Sequence, residues 1–288
     1  MNLLYRRNIM YPQQTYFRWL TKAAMQAILG AFGQTDGTAV IKATNAYLNQ
    51  LAASDRDKAT ALAGFINEDP MMVCSLGLEP QLTVLPSMPV RLAIFTGTQY
   101  LRTGLQSTEV DEVEFDMMYI GQVYSGHVVC GTRSASSANY KIYFVVNDAS
   151  AREISSAYNS YTPYWNKKAD PNTLYHHHHI IRDGYQRFEM NGVVYLTDNK
   201  AMQTSHVENT IGAWNGNGSI SAQFKGGLGM TILRYNGEDL RWYFPFTRNG
   251  VSGIMEGLSN TMQTVSGSGV WNLAFYLPDG TPWTPSTP

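Results

Sequence analysis

Two short runs hold most of the residue types that could do chemistry. One is Asp111-Glu112-Val113-Glu114-Phe115-Asp116 and the other is His176-His177-His178-His179. Side chains on a strand alternate between faces, so Glu112, Glu114 and Asp116 share one side. A retaining glycosidase uses two carboxylates about 5 to 5.5 Å apart, one as nucleophile and one as acid; Glu112 and Glu114 are the pair that would serve. On a strand at most two of the four histidines face the same way, and a two-histidine metal site needs further ligands. Asp170, Asp183 and His206 have suitable donors but no spacing that fixes them there. The plainer reading of both runs is a strand with a polar, partly exposed face, which for the histidines would also be pH-sensitive.

Aromatic residues supply a second kind of chemistry. Tyr158, Tyr161, Tyr164 and Trp165 lie among Asn, Ser and Thr in YNSYTPYWN, and Trp214-Asn215 begins the turn WNGNG. Rings of this kind stack on sugars or anchor protein interfaces, and the amides supply hydrogen bonds. Each also has a structural reading, as sheet packing or a plain hairpin turn. Gly226-Gly227-Leu228-Gly229 is not a phosphate loop, because no Lys-Ser/Thr follows and a strand does. No Ser-His-Asp or Cys-His spacing stands out. Cys74 and Cys130 could pair only if the fold brought them together.

The elements that must position these residues are mostly short strands. Residues 228–270 read as a β-meander: Asn236-Gly237 and Asn249-Gly250 supply tight turns between extended aromatic runs. Pro245 suits a strand edge, end or bulge. Upstream, apolar residues at three-and-four spacing predict a helix over 13–32, broken at 33–37. A second helix would be capped by Thr38 and a third by Ser54 or Asp55. Residues 1–68 thus form a helical N-terminal region, 69–89 a proline-containing extended connector, 90–277 the β domain, and 278–288 a proline-rich tail. Residues 151–172 read as a long aromatic and polar interruption of the β domain.

Composition narrows the function classes. Charged residues are 15% of the 288, below the roughly 25% usual for globular chains. The net charge of −1 provides no footprint for nucleic acid or an anionic membrane. No run approaches the roughly 20 apolar residues needed to span a bilayer. The start of the chain lacks the pattern of a secretory signal.

The strand sequence also carries a family resemblance. Ile232-Leu233-Arg234-Tyr235, Asn236-Gly237, the run from Leu240 through Pro245 with Arg248, then Gly253-Ile254-Met255-Glu256 and Gly267-Ser268-Gly269, follow one another in this order. They resemble the closing strands of the laminin-G/concanavalin A-like lectin jelly rolls of gut Bacteroidetes and their phage structural proteins. IFTGTQYLRTGL (94–105), VEFDMMY (113–119), CGTRSASSANY (130–140) and RFEMNGVVY (187–195) fit the same domain upstream. Glu256-Gly257 stands where that family usually has an aromatic residue and Asp. Jelly-roll glucanases carry Glu-x-Asp-x-Glu, whereas residues 112–116 read Glu-x-Glu-x-Asp.

The resemblance implies a mainly β, two-sheet antiparallel jelly-roll sandwich behind the helical region. It further implies a non-enzymatic virion structural protein, such as a head-decoration, head-fibre or tail-associated protein, assembled in the host cytoplasm and present in many copies or as a homo-oligomer. Its partners would be capsid or tail proteins, met through Tyr16, Phe17, Trp19 and Leu20, and a host surface polysaccharide, met through the aromatic residues above. No cofactor is expected; calcium, common in jelly-roll lectins, finds no compelling Asp/Asn cluster. The alternatives are a bacterial cell-surface carbohydrate-binding module and, third, a glycoside hydrolase.

Overall fold

The structure is a computed structural model that describes residues 19–76, 88–133, 140–146, 153–159, 163–202 and 206–286. The chain divides into two units, one built mainly from residues 1–73 and the other mainly from residues 87–284.

The first unit contains α1 (Lys22–Phe32), α2 (Gln34–Ser54) and α3 (Arg56–Glu68). Thr21 caps α1, its hydroxyl accepting from Ala24 N at 3.2 Å, and Asp55 caps α3 by accepting from Lys58 N at 2.9 Å. The break between α1 and α2 is only Gly33, at φ 80°. The expected cap Thr38 therefore lies inside α2, where its hydroxyl donates to Gln34 O at 2.6 Å. Ile28, Leu48 and Ile66 are fully buried. Gly37 lets α1 and α2 approach closely, since a Cβ there would sit 2.8 Å from Leu29 Cα. Residues 13–18 of the expected first helix lie outside the described residues.

Part of the expected extended connector is a 3-10 helix, Pro70–Ser75, with Met72 through Leu76 buried. Apolar side chains there favour a packed turn over a solvated spacer. Residues 77–87 lie outside the described residues.

From residue 88 onward the regular elements among the described residues are strands. They begin with β1 (Val90–Thr96), β2 (Gln99–Gln106), β3 (Glu112–Met118), β4 (Cys130–Arg133), β5 (Tyr140–Val146), β6 (Glu153–Asn159) and β7 (Tyr164–Lys168). There follow β8 (Leu174–Arg182), β9 (Tyr185–Met190), β10 (Val193–Asp198), β11 (Glu208–Ile211), β12 (Trp214–Gly216), β13 (Ser219–Ser221) and β14 (Lys225–Tyr235). The last are β15 (Glu238–Arg248), β16 (Val251–Glu256), β17 (Thr261–Gln263), β18 (Ser266–Gly267), β19 (Asn272–Tyr276) and β20 (Pro282–Trp283).

One sheet runs β10-β9-β8-β3-β14-β1-β19-β20 and continues from β14 through β15, β16 and β17; the other runs β18-β2-β11-β4-β5-β6-β7, with β12 and β13 alongside β4. The pairings are antiparallel apart from β12 on β4. Inward side chains of both sheets build one core, with Phe115 and Phe188 from the first meeting Phe144 and Trp165 from the second. This is the expected mainly β, two-sheet sandwich, of jelly-roll type and preceded by helices.

Local details follow from residue type. Asn236 and Gly237 (φ 52° and 82°) form the β14–β15 turn, and Asn249 and Gly250 (φ 51° and 76°) form the β15–β16 turn. Pro245 lies inside β15 but beyond the stretch that pairs with β14, so no donor is missed on that side. The supposed interruption at 151–172 contains β6 and β7 of the second sheet. The tail also contributes a short strand: Trp283 pairs with Phe275, their rings 5.6 Å apart.

Candidate functional site

The two chemistry-bearing runs lie side by side. β3 pairs with β8 so that Glu114 faces His178 and Asp116 faces His176. Period-two alternation then sorts the histidines: His176 and His178 share a face with the carboxylates, while His177 and His179 point into the core.

On the outer face the charges form a continuous ladder. His178 Nε2 meets Glu112 Oε1 at 2.8 Å, His176 Nδ1 meets Asp116 Oδ1 at 2.9 Å, and His176 Nε2 lies 3.5 Å from Glu114 Oε1. Arg234, paired with Glu112 across β14 and β3, donates through one terminal nitrogen to Glu114 at 2.6 Å and Glu112 at 3.2 Å. Its Nε donates to Asp239 at 2.6 Å. The face is polar and partly exposed at His176 and His178, while Glu112 and Asp116 beneath them are buried.

The electrostatics follow from these contacts. The His178 hydrogen bond holds the Glu112 carboxyl below its usual pKa against the opposing effect of burial, and Arg234 helps. Burial alone would lower the Arg234 pKa, but Glu114 and Asp239 outweigh it and raise it. A glycosidase acid needs its pKa raised, whereas Glu112 moves the other way and shares an arginine with Glu114. The arrangement fits a load of compensated charge spread across three strands.

On the inner face His177 Nδ1 and His179 Nε2 are 3.1 Å apart. Both rings are at 0% exposure. Phe115 stacks on His177 at 4.8 Å, and Phe144 meets it edge-on at 4.7 Å. Trp165 and Phe188 meet His179 at 5.1 and 5.3 Å. Burial first, then the neighbouring histidines, push His177 well below its usual pKa; burial pushes His179 down to about 3. His177 Nε2 and His179 Nδ1 have no hydrogen-bond partner among the described residues.

The other predicted residues do not converge. Tyr158 and Trp165 were expected as exposed contacts but are core residues of β6 and β7: the Tyr158 ring stacks on Phe188 at 5.9 Å, and its hydroxyl donates to Asp198 at 2.8 Å. Tyr164, next to Trp165 on β7, points out at 57% exposure. Trp214 packs on Val128, Ile142 and Ala157 of the second sheet, and Asn215 is buried with its side-chain oxygen accepting from Gly218 N at 2.7 Å. β7 and the β4 partner of β12 are three strand spacings apart, about 14 Å, so Tyr164 and Trp214 do not form one platform. Tyr161 lies outside the described residues.

Among the expected docking residues, Leu20 is buried rather than available, and Trp19 donates through its indole to Asn49 at 2.9 Å. Tyr16 and Phe17 lie outside the described residues. The first unit carries an open cleft of about 300 Å³ between α1 and α2, lined by Lys22, Met25, Leu29 and Ile41 among others.

For metals, the Asp170 carboxylate accepts from Tyr175 Oη at 3.4 Å, and the Asp183 carboxylate accepts from Met202 N at 2.7 Å. His206 is exposed. Among the described residues no group of three or more His, Cys, Asp or Glu is placed to hold a metal ion, and no helix is long and apolar enough to cross a membrane.

Two residues escaped the sequence reading. Arg234 stands in a plain-looking strand; the only available signal was its position next to an Asn-Gly turn, which sets it across from Asp239. Lys141 is the other, with its amine donating to Ser107 O at 3.0 Å and to Val110 O. Burial lowers its pKa to about 8, with Asp111 opposing.

No family model matches the chain, and no curated protein does. Among solved structures it is similar to the native heptameric SAP-like pentraxin from Limulus polyphemus, at 15% identity and a TM-score of 0.35, over 68% of this chain and 91% of that one.

Proposed function

We propose that this chain is a non-enzymatic structural protein of a phage virion, attached through its N-terminal region and displaying the β sandwich. The observation that carries the non-catalytic part is the Arg234 ladder: Glu112 and Glu114, the carboxylates a glycosidase would use, are both bound to one guanidinium. The virion part rests on the ordered strand motifs and their resemblance to phage lectin-type jelly rolls. The cleft lined by Met25, Leu29 and Ile41 is an apolar surface that a capsid or tail protein would cover. Many copies on a particle would give even a weak host-polysaccharide contact useful avidity.

Cryo-electron microscopy of particles from the source tests this reading. Density for the three helices against a capsid or tail surface, with the sandwich outside, supports it. Particles lacking the chain would overturn it and move the cell-surface carbohydrate-binding module into first place, to be tested on a glycan array.

A further inference from the structure

The geometry points to an acid-sensitive latch in the sandwich, in which the paired rings of His177 and His179 hold β8 in the core while uncharged and release it when protonated. The rings share a single hydrogen bond of 3.1 Å, so one nitrogen donates and the other accepts. That bond exists only while at least one ring is neutral. A second proton converts it into two donors facing each other with no acceptor between.

The pair sits among aromatic rings, and burial outweighs the backbone of Tyr143 and of Glu189, both of which favour a charge on His179. From β3 the pair meets Phe115, from β5 Phe144, from β7 Trp165 and from β9 Phe188. The nearby titratable groups on the inward side are the phenols of Tyr175, 6.1 Å ring to ring and hydrogen-bonded at Asp170, and Tyr143, whose hydroxyl reaches Val110 O at 3.3 Å. Both phenols stay neutral at acid pH, since burial raises them further. The outward groups of the same strands are His176 and His178 on β8, Glu112, Glu114 and Asp116 on β3, and Glu189 on β9. The three β3 carboxylates are already engaged in the ladder with His176, His178 and Arg234, and Glu189 is paired with Arg187. The two outward histidines act on the inner pair as further positive charge.

The sign is fixed by linkage. Both folded-state pKa values lie below the unfolded value of about 6.5, so the unfolded chain binds protons that the folded chain refuses. Stability is therefore intact above about pH 6.5 and falls as pH drops towards the folded values, with the unfolding equilibrium constant rising up to about a hundredfold per pH unit for two protons. Glu112, whose folded pKa is lowered, loses its contribution only below its own unfolded value of about 4.5.

Urea unfolding of the full chain between pH 7 and pH 5 tests the latch, comparing the parent with His177→Leu/His179→Leu and with the outer-face control His176→Asn/His178→Asn. The expected result is a steep pH dependence in the parent and the control and a nearly flat one in the Leu pair. An equally steep slope in the Leu pair overturns the proposal. Should the Leu pair fail to fold, imidazole NMR titration of the folded parent decides: His177 and His179 rings that stay neutral to pH 5 support the latch, and the same two rings titrating near pH 6.5 refute it.

Discussion

Arg234 and Glu114 meet at 2.6 Å across neighbouring strands, and the same guanidinium reaches Glu112 and Asp239. One cation thus offsets three carboxylates on a face with little access to water. Replacing it with methionine keeps the stem that packs along β14 but leaves those charges facing one another. Breaking a buried ion pair from one side costs about 3 to 5 kcal/mol; with Arg234 partly exposed, Arg234→Met should cost about 2 to 3 kcal/mol in urea unfolding at pH 7. Arg234→Lys should recover less than half, since an ammonium cannot reproduce the forked geometry.

Glu112 offers a pH test separate from the histidine latch. Its pKa is lowered in the folded state, chiefly by the His178 hydrogen bond. Its stabilising contribution is present above the unfolded value and disappears as pH falls through the folded one. Glu112→Gln should lower stability by about 1 to 2 kcal/mol at pH 7, with the deficit shrinking as the pH falls below about 4.5. A deficit that stays the same as the pH is lowered would mean that packing, not charge, makes Glu112 important.

The close contact of the two sheets depends on Gly212. It follows β11 with φ +79°, and a Cβ there would run into the Phe95 ring of β1. Phe95 cannot move aside freely, because Trp271 and Phe224 hold it at 4.9 and 5.8 Å. Gly212→Ala should therefore destabilise by about 3 kcal/mol, combining left-handed strain with overpacking. Gly184→Ala is the control: φ is similarly positive at +68°, but the space is open, and about 1 kcal/mol is expected.

Both cysteines are buried and neither forms a disulfide, which resolves the pairing that the sequence left open. Burial pushes the Cys130 thiol up to about 12, so it offers no thiolate near neutrality. A thiol reagent at pH 8 should find neither cysteine in the native protein and both in denaturant. Rapid native labelling would show that the β4 region opens far more readily than its packing implies.

How much of this was legible in sequence differs by element. The Asn236-Gly237 hairpin was, because few residues tolerate positive φ twice in succession. The alternation of the four histidines was legible too, but not which pair would be inside: Phe115 and Phe188, which make the inner face apolar, come from β3 and β9 and are brought there by strand pairing. Helix α2 began four residues before its expected cap because a single positive-φ glycine sufficed where a longer break was read. Arg234 was legible only in part: the Asn-Gly turn sets it across from Asp239, but Glu112 and Glu114 are local to it only in space.

The aromatic segment shows the same limit and gives the last test. Tyr158, Tyr164 and Trp165 are close in sequence and chemically alike, and only their strand phase separates them. Trp165 is 3% exposed and packed against Phe144 and Phe188, so Trp165→Ala should cost about 3 to 5 kcal/mol. Tyr158→Phe keeps the ring and loses the hydroxyl's hydrogen bond to Asp198, about 1 kcal/mol. Tyr164→Ala, on the exposed side of β7, should stay within about 0.5 kcal/mol. Tyr164 is therefore the substitution to use for ligand binding, because it leaves the fold alone: a glycan or particle contact on β7 would weaken in Tyr164→Ala with the unfolding midpoint unchanged, and unaltered binding would remove this strand from the contact surface.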